Sequence, residues 1–389
     1  MKKFIIPILM GLVAVKSTAQ EEESRVITTG VPFALIAADA RSAGMGDIGV
    51  ATSADAFSQQ WNAAKYAFAI SKQGVGVTYT PYLSSLVNDI FLGNLTYYNR
   101  INERSAFAAS LRYFSLGDID LRETADQTPL TVSPNEFTFD ASYSLRLSER
   151  FSMAVTGRYL TSDLKIQVAD DDASSASSFA VDVSGYYQSE EIAYDDFDGR
   201  WRAGFNISNI GPKLKYDEVG QENNLPTNLG LGGGFDFILD EYNKVGVTAE
   251  VNKLLVPTPQ SSDLNGDGEI TAEEVSQNTQ DYQDISFFSG MFQSFGDAPD
   301  GFSEELKEFT WALGAEYWYQ DSFAFRTGYF NESDEKGSRK FLSLGAGFKY
   351  TAINIDVSYL FSTSKVRSPL EGTLRFGLTF NFGDEYDEY

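Results

Sequence analysis

Leu374-Arg375-Phe376-Gly377-Leu378-Thr379-Phe380-Asn381-Phe382 places an apolar side chain at every second position and a polar or small one between. A side-chain period of two is that of a strand with two differently solvated faces. The same alternation carries Phe137, Phe139, Ala141, Tyr143, Leu145 and Leu147, and again Ile353, Ile355, Val357, Tyr359 and Phe361. Weaker versions lie at 74–80, 90–98, 105–114, 151–160, 178–187, 200–208, 228–237, 244–253, 308–319, 322–330 and 340–350, which makes fourteen candidate strands.

Many alternating strands fit either a soluble sandwich or a membrane barrel, and three features separate them. Most candidates run nine to twelve residues, the length of a tilted span of the hydrocarbon layer rather than of an ordinary soluble strand. Aromatic residues, including Tyr97, Tyr98, Tyr159, Trp201, Tyr317, Trp318 and Tyr350, gather near strand ends, where an interfacial girdle places them. The joins alternate in length: 99–103, 148–150, 240–243, 320–321 and 351–352 are short, whereas 115–135, 161–177 and 254–307 are long. The join 189–199 falls on the short side yet is long and acidic. The expected fold is therefore all-β: a fourteen-stranded antiparallel transmembrane outer-membrane β-barrel with an N-terminal hatch or plug segment.

Of 389 residues, 30 are Lys or Arg and 55 are Asp or Glu, with no His and no Cys, so the formal charge is −25. These absences exclude a Ser-His-Asp triad, a thiol nucleophile, a His or Cys zinc site and any disulfide. So acidic a chain has no basic surface for phosphates, and no nucleic acid is expected as a partner. Lys2 and Lys3, the apolar run Phe4–Val15 and the small residues Ser17-Thr18-Ala19 read as a secretory signal peptide over 1–19. The expected organisation continues with a hatch segment at 20–71 and the barrel at 72–382. The barrel carries a long extracellular insertion at 254–307, and a short acidic periplasmic tail follows at 383–389. The last strand is expected to finish at Phe382.

Within the hatch segment, Gly44, Gly46 and Gly49 form a G-x-G-x-x-G. With no βαβ unit around it, this pattern reads as a compact turn rather than a nucleotide site. Residues 54–68 are expected to form a short helix packed through Trp61 and Phe68. The insertion holds the sharpest motif. Asp263, Asn265 and Asp267 stand at positions 1, 3 and 5 of a twelve-residue calcium loop, with Gly268 at 6, Glu269 at 7, Thr271 at 9 and Glu274 at 12. An all-oxygen donor set at this spacing suits a hard cation, and one structural Ca2+ is expected. Pro257 and Pro259 speak against an entering helix, so the site is expected to stiffen a loop rather than to act as a sensor. The acidic runs at 170–172 and 195–198 lack such spacing and read as solvated loops. Inward Asp140, Asp182, Asp236, Glu250 and Asp356 are expected to pair with Arg112, Arg146, Arg158, Arg202, Arg326 and Arg375. Parts of 276–307 are expected to order only in a complex.

Three stretches carry a resemblance: 41–68 (RSAGMGDIGVATSADAFSQQWNAAKYAF), 205–213 (FNISNIGPK) and 250–259 (EVNKLLVPTP). On these the chain resembles the PorV family, outer-membrane barrels of the type IX secretion system of Bacteroidetes, within the wider FadL-like fourteen-stranded group. The resemblance implies a non-enzymatic shuttle and adaptor embedded in outer-membrane lipid. Its implied partners are a translocon barrel of the SprA or Sov type, secreted cargo proteins with a C-terminal signal domain, and a PorU-type sortase complex. Contact with them is expected first at Leu254, Leu255, Val256, Pro257 and Pro259. The alternative is a FadL-like channel for hydrophobic small molecules, for which Gly232-Gly233-Gly234 supplies a candidate strand kink. A lipid hydrolase built on a Ser-His pair is excluded by the missing histidine.

Overall fold

The computed structural model describes residues 25–84, 86–122, 124, 126–164, 175–216, 221–365 and 368–386. The 1–19 leader, the 170–172 acidic run and the end of the tail lie outside the described residues. Fourteen long strands follow one another: β1 Ser71–Pro81, β2 Ile90–Arg100, β3 Ser105–Leu116, β4 Asn135–Arg146, β5 Phe151–Asp163, β6 Ala176–Gln188 and β7 Asp198–Ile210 form one half. The other half is β8 Asn228–Ile238, β9 Asn243–Leu254, β10 Phe309–Tyr319, β11 Phe323–Asn331, β12 Lys340–Tyr350, β13 Ile353–Ser362 and β14 Leu374–Glu385. Each pairs antiparallel with its sequence neighbours, and β1 pairs with β14, so the sheet closes on itself. Closure leaves no free edge.

Every strand expected from alternation is present, with ends shifted by a few residues. β14 runs on to Glu385, opposite Ser71, instead of stopping at Phe382, because β1 starts early enough to keep pairing with it. The acidic join at 189–199 contains a two-residue strand, Ile192–Ala193, paired with the start of β7, which makes it a hairpin extension rather than an open loop. Gly232, Gly233 and Gly234 pair without a break with both β7 and β9. The ladder shows no register break there; a Cβ on Gly232 would stand 2.9 Å from that of Ala51, so Gly232 makes room for the lumenal segment, whereas a Cβ on Gly234 would meet Thr248 of the neighbouring strand.

The alternation places apolar groups outside and polar groups inside. Leu111, Phe139, Val155 and Phe179 are exposed, while their strand neighbours Arg112, Asp140, Thr156 and Ser178 are buried. A soluble sheet protein has the reverse arrangement, because burying apolar surface is its main driving force.

The polar interior is occupied by the chain's own residues from Arg25 to Ala69. Helix α1 (Ala40–Ala43) packs on β12, β13 and β14, while the 3-10 helix Ala63–Phe68 packs on β2 to β6. The helix expected over 54–68 is broken. Ser58–Trp61 forms α2, and Asn62 turns extended at φ −166° and ψ 96° before the 3-10 turn begins. Asn62 is fixed there because its Nδ2 donates to the carbonyls of Val50 at 2.9 Å and Gly185 at 3.0 Å. These bonds satisfy backbone oxygens that are cut off from water, a need that outweighs helix continuity. Gly46 adopts φ +82° beside the Tyr329 backbone, and a Cβ on Gly328 would overlap the Met45 carbonyl. The glycine pattern thus serves close backbone approach, on both the segment and the wall.

Candidate functional site: the filled lumen and the long-loop mouth

The lumen was expected to be lined by paired acids and arginines, and the structure shows which pairs form. Arg158 bridges Asp140 at 2.6 Å and Asp182 at 3.0 Å. Arg202 meets Asp236 at 2.5 Å, and Arg326 meets Asp356 at 2.7 Å and Glu316 at 2.5 Å. The remaining groups turn to the lumenal segment instead. Arg112 donates to the carbonyls of Phe33, Ala34 and Ile36 at 2.8–3.0 Å. Glu250 accepts from the Gly49 and Val50 amides, both at 2.9 Å, and Arg375 reaches Asp47 at 3.2 Å. Arg146 lies 4.5 Å over the Phe68 ring and donates to the Glu149 carbonyl. Wall charges pair with the segment because its irregular backbone brings donors and acceptors that need partners.

One contact ties the segment to the wall most firmly. The Arg41 guanidinium forks onto Glu316, with Nε at 3.0 Å from Oε2 and Nη2 at 2.8 Å from Oε1, and its Nη1 meets Asp55 at 2.8 Å. A bidentate fork of this kind fixes orientation as well as distance. On either side of the segment a cavity remains. One, of 290 Å³, lies toward the short turns and is lined by Arg41, Asp55, Lys244, Trp318 and Asp356. The other, of 520 Å³, lies toward the long loops and is lined by Val26, Leu35, Ile36, Trp61, Phe330 and Arg339, among others.

The 254–307 insertion rises at the long-loop mouth. It carries three helices, two of them and most of the third within the 276–307 stretch whose parts are expected to order only in a complex: α3 spans Ala272–Asp284, α4 Phe287–Gln293 and α5 Phe302–Glu305. Leu255, Val256 and Pro257 are buried beneath it. A Cβ on Gly290 of α4 would meet Pro257 at 2.8 Å, so this root seats the insertion. Leu254 lines the larger cavity and Pro259 is half-buried. The exposed apolar residues of the insertion include Leu264, Ile270 and Val275 and, on and after α4, Phe288, Phe292, Phe295, Phe302 and Leu306, with the Phe288 and Phe292 rings in edge contact at 5.3 Å.

The calcium-type loop is shaped by its own hydrogen bonds. Asp263 accepts from the Gly266 and Gly268 amides at 2.7 and 2.9 Å, Asn265 from Asp267 at 2.8 Å and Asp267 from Glu269 at 2.8 Å. Thr271 caps α3 in a capping box with Glu274. Glu274 Oε2 takes both Thr271 bonds, whereas its Oε1 is shielded from water and has no hydrogen-bond partner. A carboxylate oxygen shielded but unpaired at position 12 fits a hard cation. No helix lies between the end of β9 at Leu254 and the loop, in line with the two prolines there.

A second charged group at this mouth was not anticipated. Lys253 Nζ contacts Glu308 at 2.6 Å and Glu305 at 2.7 Å, and Lys336 Nζ contacts Glu304 at 2.7 Å and Glu308 at 3.0 Å. Arg25 joins from the lumenal segment, 2.8 Å from Glu304 and 3.0 Å from Asp300. Burial opposes charge on Glu304, but its bond from Lys336 and the Asp300 amide hold the carboxyl below its ordinary range. Asp297 is pushed up by burial and by the neighbouring Glu308 and Glu305. The sequence did carry one signal for this cluster. Alternation puts Lys253 on the outward face next to exposed Val251, yet it is only 1% exposed. A lysine there needs a cover and counter-charges.

A family profile described as "Type IX secretion system protein PorV" matches residues 18–261, more than half of the chain. A search of curated proteins gave no match. Among solved structures, the CymD monoaromatic hydrocarbon channel is 13% identical, with 91% of this chain and 99% of that one covered and a TM-score of 0.50. A FadL homologue of Pseudomonas aeruginosa is 12% identical, covering 92% and 100% at 0.43. The Pseudomonas putida toluene transporter TodX is 10% identical, covering 87% and 95% at 0.48. At these identities the likeness concerns the fold alone.

Proposed function

Because the chain belongs to the PorV family of type IX secretion system proteins, we propose that it is an outer-membrane shuttle and adaptor for secreted proteins. In this role it would bind the translocon barrel, collect cargo through a C-terminal signal domain and deliver it to a PorU-type attachment complex. The exposed apolar face around a closed sheet supports lipid as its surroundings, with the long loops outside the cell. The segment from Arg25 to Ala69 then acts as a hatch. The observation that carries the reading is the family match, which covers the hatch, the first nine strands and the root of the insertion. A filled lumen favours it further. Such a barrel is a membrane-confined handle, and its folded insertion, rooted on Leu254–Pro259 and bearing exposed Phe288 and Phe292, suits capture of a protein. The loop at 263–274 would hold one calcium ion through Asp263, Asn265, Asp267, Glu269, Thr271 and Glu274, bracing the start of α3.

A second reading, a channel for hydrophobic small molecules, draws on the 520 Å³ cavity with Leu35, Ile36 and Phe330 in its wall. The unbroken ladder through Gly232–Gly234 offers it no side door there. Mild-detergent isolation of the protein from its native outer membrane, with mass spectrometry of what accompanies it, separates the two. A very large barrel or secreted proteins sharing a C-terminal domain are expected. Recovery of the barrel alone with a bound lipid would overturn the adaptor reading.

A further inference from the structure

The lumenal segment runs from the long-loop mouth at Arg25 to the short-turn end, where β1 begins at Ser71 opposite Glu385. Its first residues, Val26 to Thr29, form part of the wall of the 520 Å³ cavity, together with Glu308, Lys336 and Arg339. What fixes this strip is the charged cluster. Arg25 is gripped by Asp300 and Glu304 of the insertion, and Lys336 donates both to the Arg25 carbonyl at 3.2 Å and to Glu304 at 2.7 Å. Glu308 passes the linkage on: Lys253 of β9 and the Thr258 hydroxyl each lie 2.6 Å from it. Deeper in, different groups hold the chain, beginning with the Gly30 amide on the Asn224 carbonyl and Arg112 on the carbonyls of Phe33 to Ile36.

We propose that Arg25–Thr29 is a strap over the larger cavity and that the insertion is its latch. Displacing Glu304–Glu308 frees the strap and opens the cavity toward the long-loop side, while the chain from Gly30 onward stays seated. The physical reason is the division of contacts. The strap is fastened mainly by charges belonging to the insertion and the 332–339 loop, whereas the deeper segment is fastened by the wall. This deepens the adaptor reading, since a partner that pulls the insertion would also change the lumen. The geometry stands without that reading. The coupling is reciprocal by necessity: loosening the strap also loosens α5.

The chain has no cysteine, so a single one placed at cavity-lining Thr310 reports access without background. The test measures the rate at which Thr310→Cys in the purified, folded barrel reacts with a charged maleimide. Four versions are compared: otherwise unchanged, with Glu304→Gln, with Arg25→Ala, and with both. Each variant is expected to raise the rate about tenfold or more, and the double variant no further than the faster single one, because both undo one latch. A cysteine at Asn354, in the short-turn cavity, is expected to react at an unchanged rate in all backgrounds. Equal Thr310→Cys rates in all versions would overturn the latch, as would fully additive effects of the two substitutions. Because no partner is present in the assay, failure of the secretion reading leaves its result intact.

Discussion

Replacing Arg41 by methionine tests what holds the lumenal segment in place. In the native cluster Arg41 and Arg326 are bridged to Glu316, Asp55 and Asp356, and buried Lys65 also faces Asp55. Arg41→Met removes one of these three cations and leaves all three carboxylates. Removing one partner of a buried ion pair costs about 3–5 kcal/mol, chiefly because the other charge is stranded. At about 1.4 kcal/mol per factor of ten, the equilibrium between seated and unseated α1 shifts by roughly two to three and a half orders of magnitude. Amide hydrogen exchange of residues 40–68 in the detergent-purified barrel reads this directly. The companion variant Arg41→Met with Glu316→Gln removes one cation and one carboxylate together and so restores the native net charge of the cluster. It is therefore expected to exchange more slowly than Arg41→Met, although it has lost more contacts. If the double variant exchanges as fast as the single one or faster, lost contacts rather than stranded charge govern the site, and the electrostatic account is wrong.

Three further outcomes are expected. Asp263→Ala and Glu274→Gln should each weaken calcium binding by at least about tenfold in isothermal titration, and abolish calcium protection of the insertion from protease. Protection that is equal with and without calcium in the unaltered chain would remove the site. Gly328→Val drives a side chain into the Met45 carbonyl, which is backbone and cannot yield, whereas a Cβ on Gly157 meets nothing within 4 Å. The first is expected to destabilise by about 1–3 kcal/mol, seen as a lost fraction of heat-modifiable folded barrel on gels, and Gly157→Ala to change nothing. Asp297 has a carboxyl raised by burial and by its acidic neighbours. The folded state therefore holds its proton more tightly than the unfolded chain, and ionising it lowers stability as pH rises from the unfolded carboxylate value through the raised one. Asp297→Asn should accordingly make the insertion more protease-resistant at pH 7, with the gain disappearing below the ordinary carboxylate range.

The barrel was legible because its strands repeat one simple condition, apolar outward and polar inward, across spans as long as Leu374–Phe382 and Phe137–Leu147. Alternation also fixed which face Arg158 and Asp140 occupy. It could not say whether an inward charge meets the opposite wall or the filling. Arg112 and Glu250 bond backbone carbonyls and amides of residues 33–50, and the backbone has no signature in the sequence. The break at Asn62 escaped for the same reason, since its cause is the Gly185 carbonyl 123 residues away. The calcium-type loop was read from spacing alone because its donors are local. The cluster of Arg25, Lys253, Glu304, Glu308 and Lys336 joins four separate parts of the chain, and only the misplaced lysine hinted at it.

The course of residues 25–71 also constrains how the molecule is made. The chain enters at one mouth and leaves at the other, and the first and last strands zip together around it. A ring that shut first would have to be threaded afterwards through an interior crowded with arginine and aspartate side chains. The more economical order is for strands to gather around a filling already in place, with the β1–β14 seam sealed last. On that view the filling is a mould for the wall as much as an obstacle in it. Biogenesis, not only permeability, then depends on the pairs that Arg41, Arg112 and Glu250 make across the gap.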